Sequence, residues 1–172
     1  QHKSRVISGR IMVNNGHMTN NSGIKRVDYG NPARVDLGVA VLDSDHARRL
    51  RAPGHFVGPQ RPEFYQLLFF TEGRGTHTVD LVRYRVSPGV LIVVTPGQVQ
   101  EWDEIQRPKG RIVLIHPSFL LPDRPEYREV VWPAPSEEWP VRISLSASES
   151  LLVKDSLDEL QREITHADGS PL

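Results

Sequence analysis

The chain has 172 residues, enough for one domain with a sizeable hydrophobic core and an appended helix. Its 21 Lys and Arg residues balance 21 Asp and Glu residues, so the sequence lacks the basic excess that is typical of a nucleic-acid-binding domain. The absence of cysteine excludes disulfides, thiolate metal sites and cysteine nucleophiles, and it is compatible with the cytoplasm, where we expect the protein. Because no stretch of the sequence has a membrane-spanning length, we expect no membrane association.

The amino-terminal segment differs from the rest of the chain. Residue 1 is not methionine, and Gly16-His17-Met18 has the form of a cloning junction. We therefore interpret residues 1–18 as vector-derived or flexible, and residues 19–34 as an N-terminal arm.

Short β-strands are predicted from residue 35 onward. The clearest is Val90–Thr95, an apolar run between Pro88-Gly89 and Pro96-Gly97 that is typical of a fully buried strand. The predicted strands are Val35–Leu42, Phe64–Phe70, Thr76–Val79, Tyr84–Val86, Val90–Thr95, Val99–Trp102 and Arg111–Ile115, with a loop over Arg51–Pro62 and turns over Glu72–Gly75 and Asp80–Arg83. Short strands at intervals of about ten residues predict an antiparallel sandwich or barrel over residues 35–121.

The carboxy-terminal part changes from strands to a helix. Five prolines between Pro122 and Pro140 predict an irregular connection over residues 122–145. Ser146 and Glu149 have the spacing of a capping box, and Gly169 is a stop signal, so we predict a helix over residues 146–168. Its apolar face consists of Val153, Leu157, Leu160 and Ile164.

Four ordered motifs resemble the sensor domain of AraC-family bacterial transcription regulators. They are Phe64–Phe70, Gly73-x-Gly75-x-His77-x-Val79-Asp80, Tyr84-x-Val86-x-Pro88-Gly89 and Pro96-Gly97-Gln98-Val99. The resemblance implies a mostly β fold, a cupin-like double-stranded β-helix (jelly-roll) barrel that is followed by one or two C-terminal helices. It also implies that the barrel binds a small effector, that the late helix pairs with its copy in a homodimer, and that a separate C-terminal domain with helix-turn-helix motifs binds DNA. Since residues 1–172 contain no such domain, we expect this chain to be the sensor part of a longer regulator.

Five residues are candidates for effector binding: Arg61, Tyr65, His77, Gln100 and Trp102. The indole of Trp102 suits a sugar ring or an aromatic acid, and Gln98 and Gln100 would share its strand face. Arg61 suits a carboxylate at the barrel mouth. The expected effector is therefore a sugar, a carboxylate or an aromatic acid. The alternative is that His77 and Trp102 are core residues and that Arg61 and Gln98 are solvated.

A metal-dependent cupin enzyme acting on a small polar substrate is the main alternative function. Such a site needs a His-x-His pair, a carboxylate and a later histidine on neighbouring strands. Here only His77 is present, Val82 stands where the carboxylate would be spaced, and Gln100 stands where relatives often have histidine. We therefore expect no catalytic residues, no metal and no cofactor. A carbohydrate-binding module without regulatory function is a further alternative.

The apolar face of the predicted helix has two interpretations. An amphipathic helix usually packs on its own domain. The spacing of Val153, Leu157, Leu160 and Ile164 also suits a short coiled-coil seam. The family resemblance favours dimerisation through these four residues.

Overall fold

The computed structural model describes residues 23–29, 38–50, 54–120 and 139–167. In these ranges the chain forms ten strands and three helices. The strands are β1 Lys25–Val27, β2 Val39–Asp43, β3 Gln60–Pro62, β4 Tyr65–Glu72, β5 Gly75–Val79, β6 Val82–Val86, β7 Val90–Val94, β8 Gln100–Trp102, β9 Lys109–Ile115 and β10 Arg142–Ser144. The helices are α1 Ser44–Leu50, α2 Pro117–Leu120 and α3 Ala147–Ala167.

The strands form two five-stranded sheets. The first sheet has the order β1-β3-β8-β5-β6, and the second has the order β10-β7-β4-β9-β2. All of these pairs are antiparallel except β1, which lies parallel to β3. Two mainly antiparallel sheets followed by a C-terminal helix confirm the predicted jelly-roll fold class.

The second sheet is buried on both faces, which explains its apolar strands. In β9, Ile112 and Leu114 pack into the core between the two sheets, whereas Val113 and Ile115 belong to a second cluster on the outer face. The same alternation occurs in β2 and β4. Because both faces exclude water, these strands have no regular polar positions.

Helix α3 covers the outer face of the second sheet. Ile164 is buried there, and Leu157 and Leu160 are half-buried against the same cluster. The helix begins with the predicted capping box: the Ser146 Oγ accepts a hydrogen bond from the Glu149 backbone N–H, and the Glu149 carboxylate accepts one from the Ser146 N–H. Within the described ranges, no helix is long and apolar enough to cross a membrane.

Several predicted boundaries need correction. The predicted loop over Arg51–Pro62 contains β3, and the predicted connection over 122–145 contains β10. Helices α1 and α2 were not predicted, and β1 lies within the predicted arm, where it extends the first sheet. Residues 1–18, most of the predicted connection and the stop at Gly169 lie outside the described residues.

The turn between β5 and β6 is tighter than predicted. Val79 pairs with Val82, so only Asp80 and Leu81 form the turn, whereas a turn over Asp80–Arg83 was expected. Both turn residues have positive φ angles, 46° and 69°. Asp80 is held in place because its carboxylate accepts hydrogen bonds from the Gln98 side chain and the Val99 N–H.

Candidate functional site

Strands β5 and β8 bring three of the predicted site residues together inside the barrel. His77 lies opposite Trp102, and Gln100 lies opposite Val79 two pairs further along. All three predicted residues are buried, and the His77 and Trp102 rings pack edge to face with their centroids 5.1 Å apart. Alternation along the two strands therefore places the imidazole, the amide and the indole on one interior wall.

A chain of hydrogen bonds connects this wall with the facing sheet. The His77 Nε2 donates to the Gln100 Oε1 over 3.1 Å, and the Gln100 Nε2 donates to the Gln66 Oε1 of β4 over 3.0 Å. Gln66 is also buried. It was missed as a site residue, although its even spacing with Phe64 and Leu68 indicates an inward position.

The barrel interior keeps His77 neutral. Burial lowers the pKa of the His77 imidazole from 6.5 to about 4, although the hydrogen bond with Gln100 acts in the opposite direction. Near pH 7 the ring therefore carries one proton, which Nε2 donates to Gln100, and Nδ1 is unprotonated. The interior wall thus offers amide and imidazole groups without a net charge.

A cavity of about 40 Å³ lies beside this hydrogen-bonded chain. A cavity of this size holds two or three water molecules. Since a sugar or an aromatic acid is larger, such a molecule enters only if side chains of the wall move. The residues that line the cavity are Val27, Leu42, Ala47, His55, Phe56, Gln60, Phe64, Gln66, Gln100, Trp102, Ile112 and Leu114.

The part of the wall around Trp102 was only partly predicted. Phe56 packs against Trp102 with ring centroids 5.2 Å apart, and the Arg48 guanidinium lies over both rings. The Trp102 Nε1 is buried and has no hydrogen-bond partner within the described residues. Phe56 and Arg48 gave no sequence signal, because a one- to two-turn helix and an irregular loop have no hydrophobic periodicity.

The structure does not bring the other two candidates to the interior wall. Arg61 is exposed, since alternation in β3 turns Gln60 and Pro62 inward and Arg61 outward. Tyr65 belongs to the outer cluster under α3, and burial raises its pKa. Gln98 also lies off the interior wall, where its side chain bonds Asp80 and the Thr95 N–H.

The donor set on the interior wall does not fit a metal ion. Over the residues that the structure describes, no three His, Asp or Glu side chains are grouped so that they could hold one. His77 bonds Gln100, which in turn bonds Gln66, and the neutral amides of both glutamines are poor ligands for iron, manganese or zinc. The His77 Nε2 is already engaged with Gln100.

Residues 46–121, from α1 to the end of α2, match the family model of the AraC-like ligand binding domain. This part of the chain is similar to the AraC-like ligand binding domain. The match includes the interior wall, with His77, Gln100 and Trp102, and also Arg48 and Phe56. No curated protein matches the sequence.

The predicted dimerisation residues lie mostly on the face of α3 that packs on the second sheet. Leu157, Leu160 and Ile164 contact the second sheet of the same chain, and Val153 is half-buried. The structure therefore assigns three of the four to packing within one chain. Dimerisation itself stays a prediction.

Proposed function

We propose that this chain is the sensor part of an AraC-type transcription regulator, which binds a small effector inside its barrel and signals to a DNA-binding domain. The observation that carries the proposal is the buried chain from His77 through Gln100 to Gln66, beside a cavity. Buried polar side chains are costly in an apolar core unless each finds a partner. His77, Gln100 and Gln66 find partners in one another, and the amides of Gln66 and Gln100 also line the cavity, where they suit the hydroxyl or carboxylate groups of a ligand.

The small volume of the cavity supports sensing rather than simple storage. Because an effector needs more room than about 40 Å³, the effector-bound and effector-free barrels must differ in shape. A ligand that binds one shape better shifts the population toward it.

The second sheet offers a route from the cavity to α3. Ile112 and Leu114 line the cavity, while their neighbours Val113 and Ile115 contact the cluster that holds α3. A displacement of β9 by the effector therefore changes the surface on which α3 rests. We propose that this movement of α3 repositions the DNA-binding domain.

Thermal unfolding of the chain with sugars, carboxylates and aromatic acids tests effector binding. An effector at 100 times its Kd stabilises the folded state by about 2.7 kcal/mol and raises the melting temperature accordingly. We expect Gln100→Met to abolish the increase, because it removes the central amide of the interior chain. Glu101→Gln is the matched control, since Glu101 is exposed on the same strand.

Two results would contradict the proposal. An effector that protects the wild type and Gln100→Met equally binds outside the barrel. A parent gene without a helix-turn-helix region would remove the regulatory part of the proposal.

A further inference from the structure

Arg48 of α1 is a buried cation without hydrogen bonds. Its side chain is 15% exposed, and its three guanidinium nitrogens are buried with no hydrogen-bond partner within the described residues. The nearest carboxylate oxygen, the Glu104 Oε1, lies 3.7 Å from Nη2. A guanidinium has five N–H donors, and burying them unpaired is strongly unfavourable. The folded chain therefore holds a buried cation whose N–H groups have no hydrogen-bond acceptor among the described residues.

Arg48 lies beside the wall that separates two spaces. Its Cζ is 5.7 Å from the centre of the Trp102 ring and 5.9 Å from that of Phe56. Both rings line the inner cavity, and Trp102 also lines an outer cleft of about 380 Å³ that includes Glu104. The Trp102 indole N–H is a second buried donor without a partner in the described part of the chain. Unpaired donors and flat apolar faces thus occur together.

Glu104 is a replaceable partner for Arg48. Its Oε2 lies 3.5 Å from Nη2 of Arg107, whose side chain is 61% exposed. The loop around it is fixed independently, because the Asp103 carboxylate accepts hydrogen bonds from the Thr76 and Gln106 N–H groups. The Glu104 side chain can therefore leave Arg48, keep Arg107 and move without unfolding its loop.

We propose that the effector is an organic carboxylate, which replaces Glu104 on Arg48 and places its apolar body against Phe56 and Trp102. This inference depends on the proposed sensor function and selects one of the three effector classes that the sequence left open. The two oxygens of a carboxylate match the guanidinium fork in a bidentate pair. A neutral sugar carries no charge with which to replace Glu104 on Arg48.

The test measures binding of matched carboxylates and amides to the 172-residue chain by calorimetry and thermal unfolding. The probes are benzoate, phenylacetate and hexanoate, each with its uncharged amide, and glucose as a neutral sugar. We expect at least one carboxylate to bind and its amide not to bind. Arg48→Gln should weaken carboxylate binding on the order of 10- to 100-fold, because it removes a charge-assisted pair.

Two further variants complete the experiment. Arg49→Gln is the matched control, because Arg49 is exposed on the same helix and should not affect affinity. Glu104→Gln should tighten carboxylate binding several-fold, because the competing anion is removed. This increase also tests the proposal if Arg48→Gln does not fold.

The outcomes separate this inference from the sensor function. If glucose binds and Arg48→Gln binds it equally well, the sensor function stands and the carboxylate assignment is wrong. The assignment also fails if no carboxylate binds the wild type, or if Glu104→Gln weakens carboxylate binding. Carboxylate binding that is unaffected by Arg48→Gln overturns the role of Arg48.

Discussion

At the level of single residues, His77 makes the free energy of unfolding of the barrel depend on pH. Its imidazole is held between Gln100 and the rings of Trp102 and Phe70, with almost no contact with water. A protonated ring would need an acceptor for its Nδ1–H, and would carry a charge in an apolar core. The folded state therefore accepts only the neutral form near pH 7.

We expect the free energy of unfolding to fall as the pH decreases from 6.5 to 4. The pKa of His77 is about 4 in the folded chain, whereas in the unfolded chain it has the ordinary value of 6.5. Between these two pH values the unfolded chain therefore binds a proton that the folded chain does not. The contribution of His77 is complete above pH 6.5, and the loss amounts to about 3 kcal/mol at pH 4.

Urea denaturation at several pH values measures this loss, and His77→Gln should lack the part that comes from the imidazole. Equal pH dependence in the two proteins would show that His77 is not the group responsible. An NMR titration of the wild-type imidazole gives the same answer without a substitution: a midpoint near 6.5 would contradict its burial.

Residue patterns predicted the interior wall better than they predicted its chemistry. Alternation in the Val99–Trp102 strand correctly places Gln100 and Trp102 together, but Gln98 precedes β8 and turns away. The position of Arg61 before an aromatic strand suggested a role in effector binding, but the pleat of β3 points its side chain to solvent. Which charged side chain reaches the wall depends on the packing of α1, and sequence spacing does not show this.

At the level of elements, the contacts between α3 and the second sheet contribute to the stability of the protein. Ile164 is 6% exposed, and Leu151, near the other end of the helix, is 59% exposed. Ile164→Ala should destabilise the protein by about 2 to 4 kcal/mol, because it leaves a cavity under the helix. Leu151→Ala is the matched control and should change stability by at most about 0.5 kcal/mol. Chemical denaturation measures both, and similar losses would mean that α3 is not docked in this way.

Elements differ in how far they could be predicted. Helix α3 has a capping box and three turns of regular apolar spacing, so its start was predicted correctly. Helix α1 has seven residues, and its start depends on Asp43, whose carboxylate accepts hydrogen bonds from the Asp45 and His46 N–H groups. Strand β3 has only three residues, and one of them is a proline. Such short elements form because the sheets hold them in place, and their own sequences carry little signal.

At the level of the whole molecule, the proposed homodimer requires an apolar surface that the chain does not use for its own packing. The apolar face predicted for dimerisation includes Leu157, Leu160 and Ile164, which pack on the chain's own sheet. The outward-facing apolar residues of α3 within the described helix are Leu151 and Leu152, which are 59% and 67% exposed. A dimer that forms through α3 therefore has these two leucines, near the start of the helix, available for apolar contact.

We expect Leu152→Asp to shift the chain toward monomer, because it places a carboxylate in an apolar contact, and to leave its melting temperature nearly unchanged. Leu157→Asp should instead lower the melting temperature, because Leu157 packs between α3 and the second sheet. Sedimentation velocity and thermal unfolding of both variants separate the two roles. A wild type that is monomeric at high concentration would rule out the homodimer, and a dimer that survives Leu152→Asp would place the interface on another face.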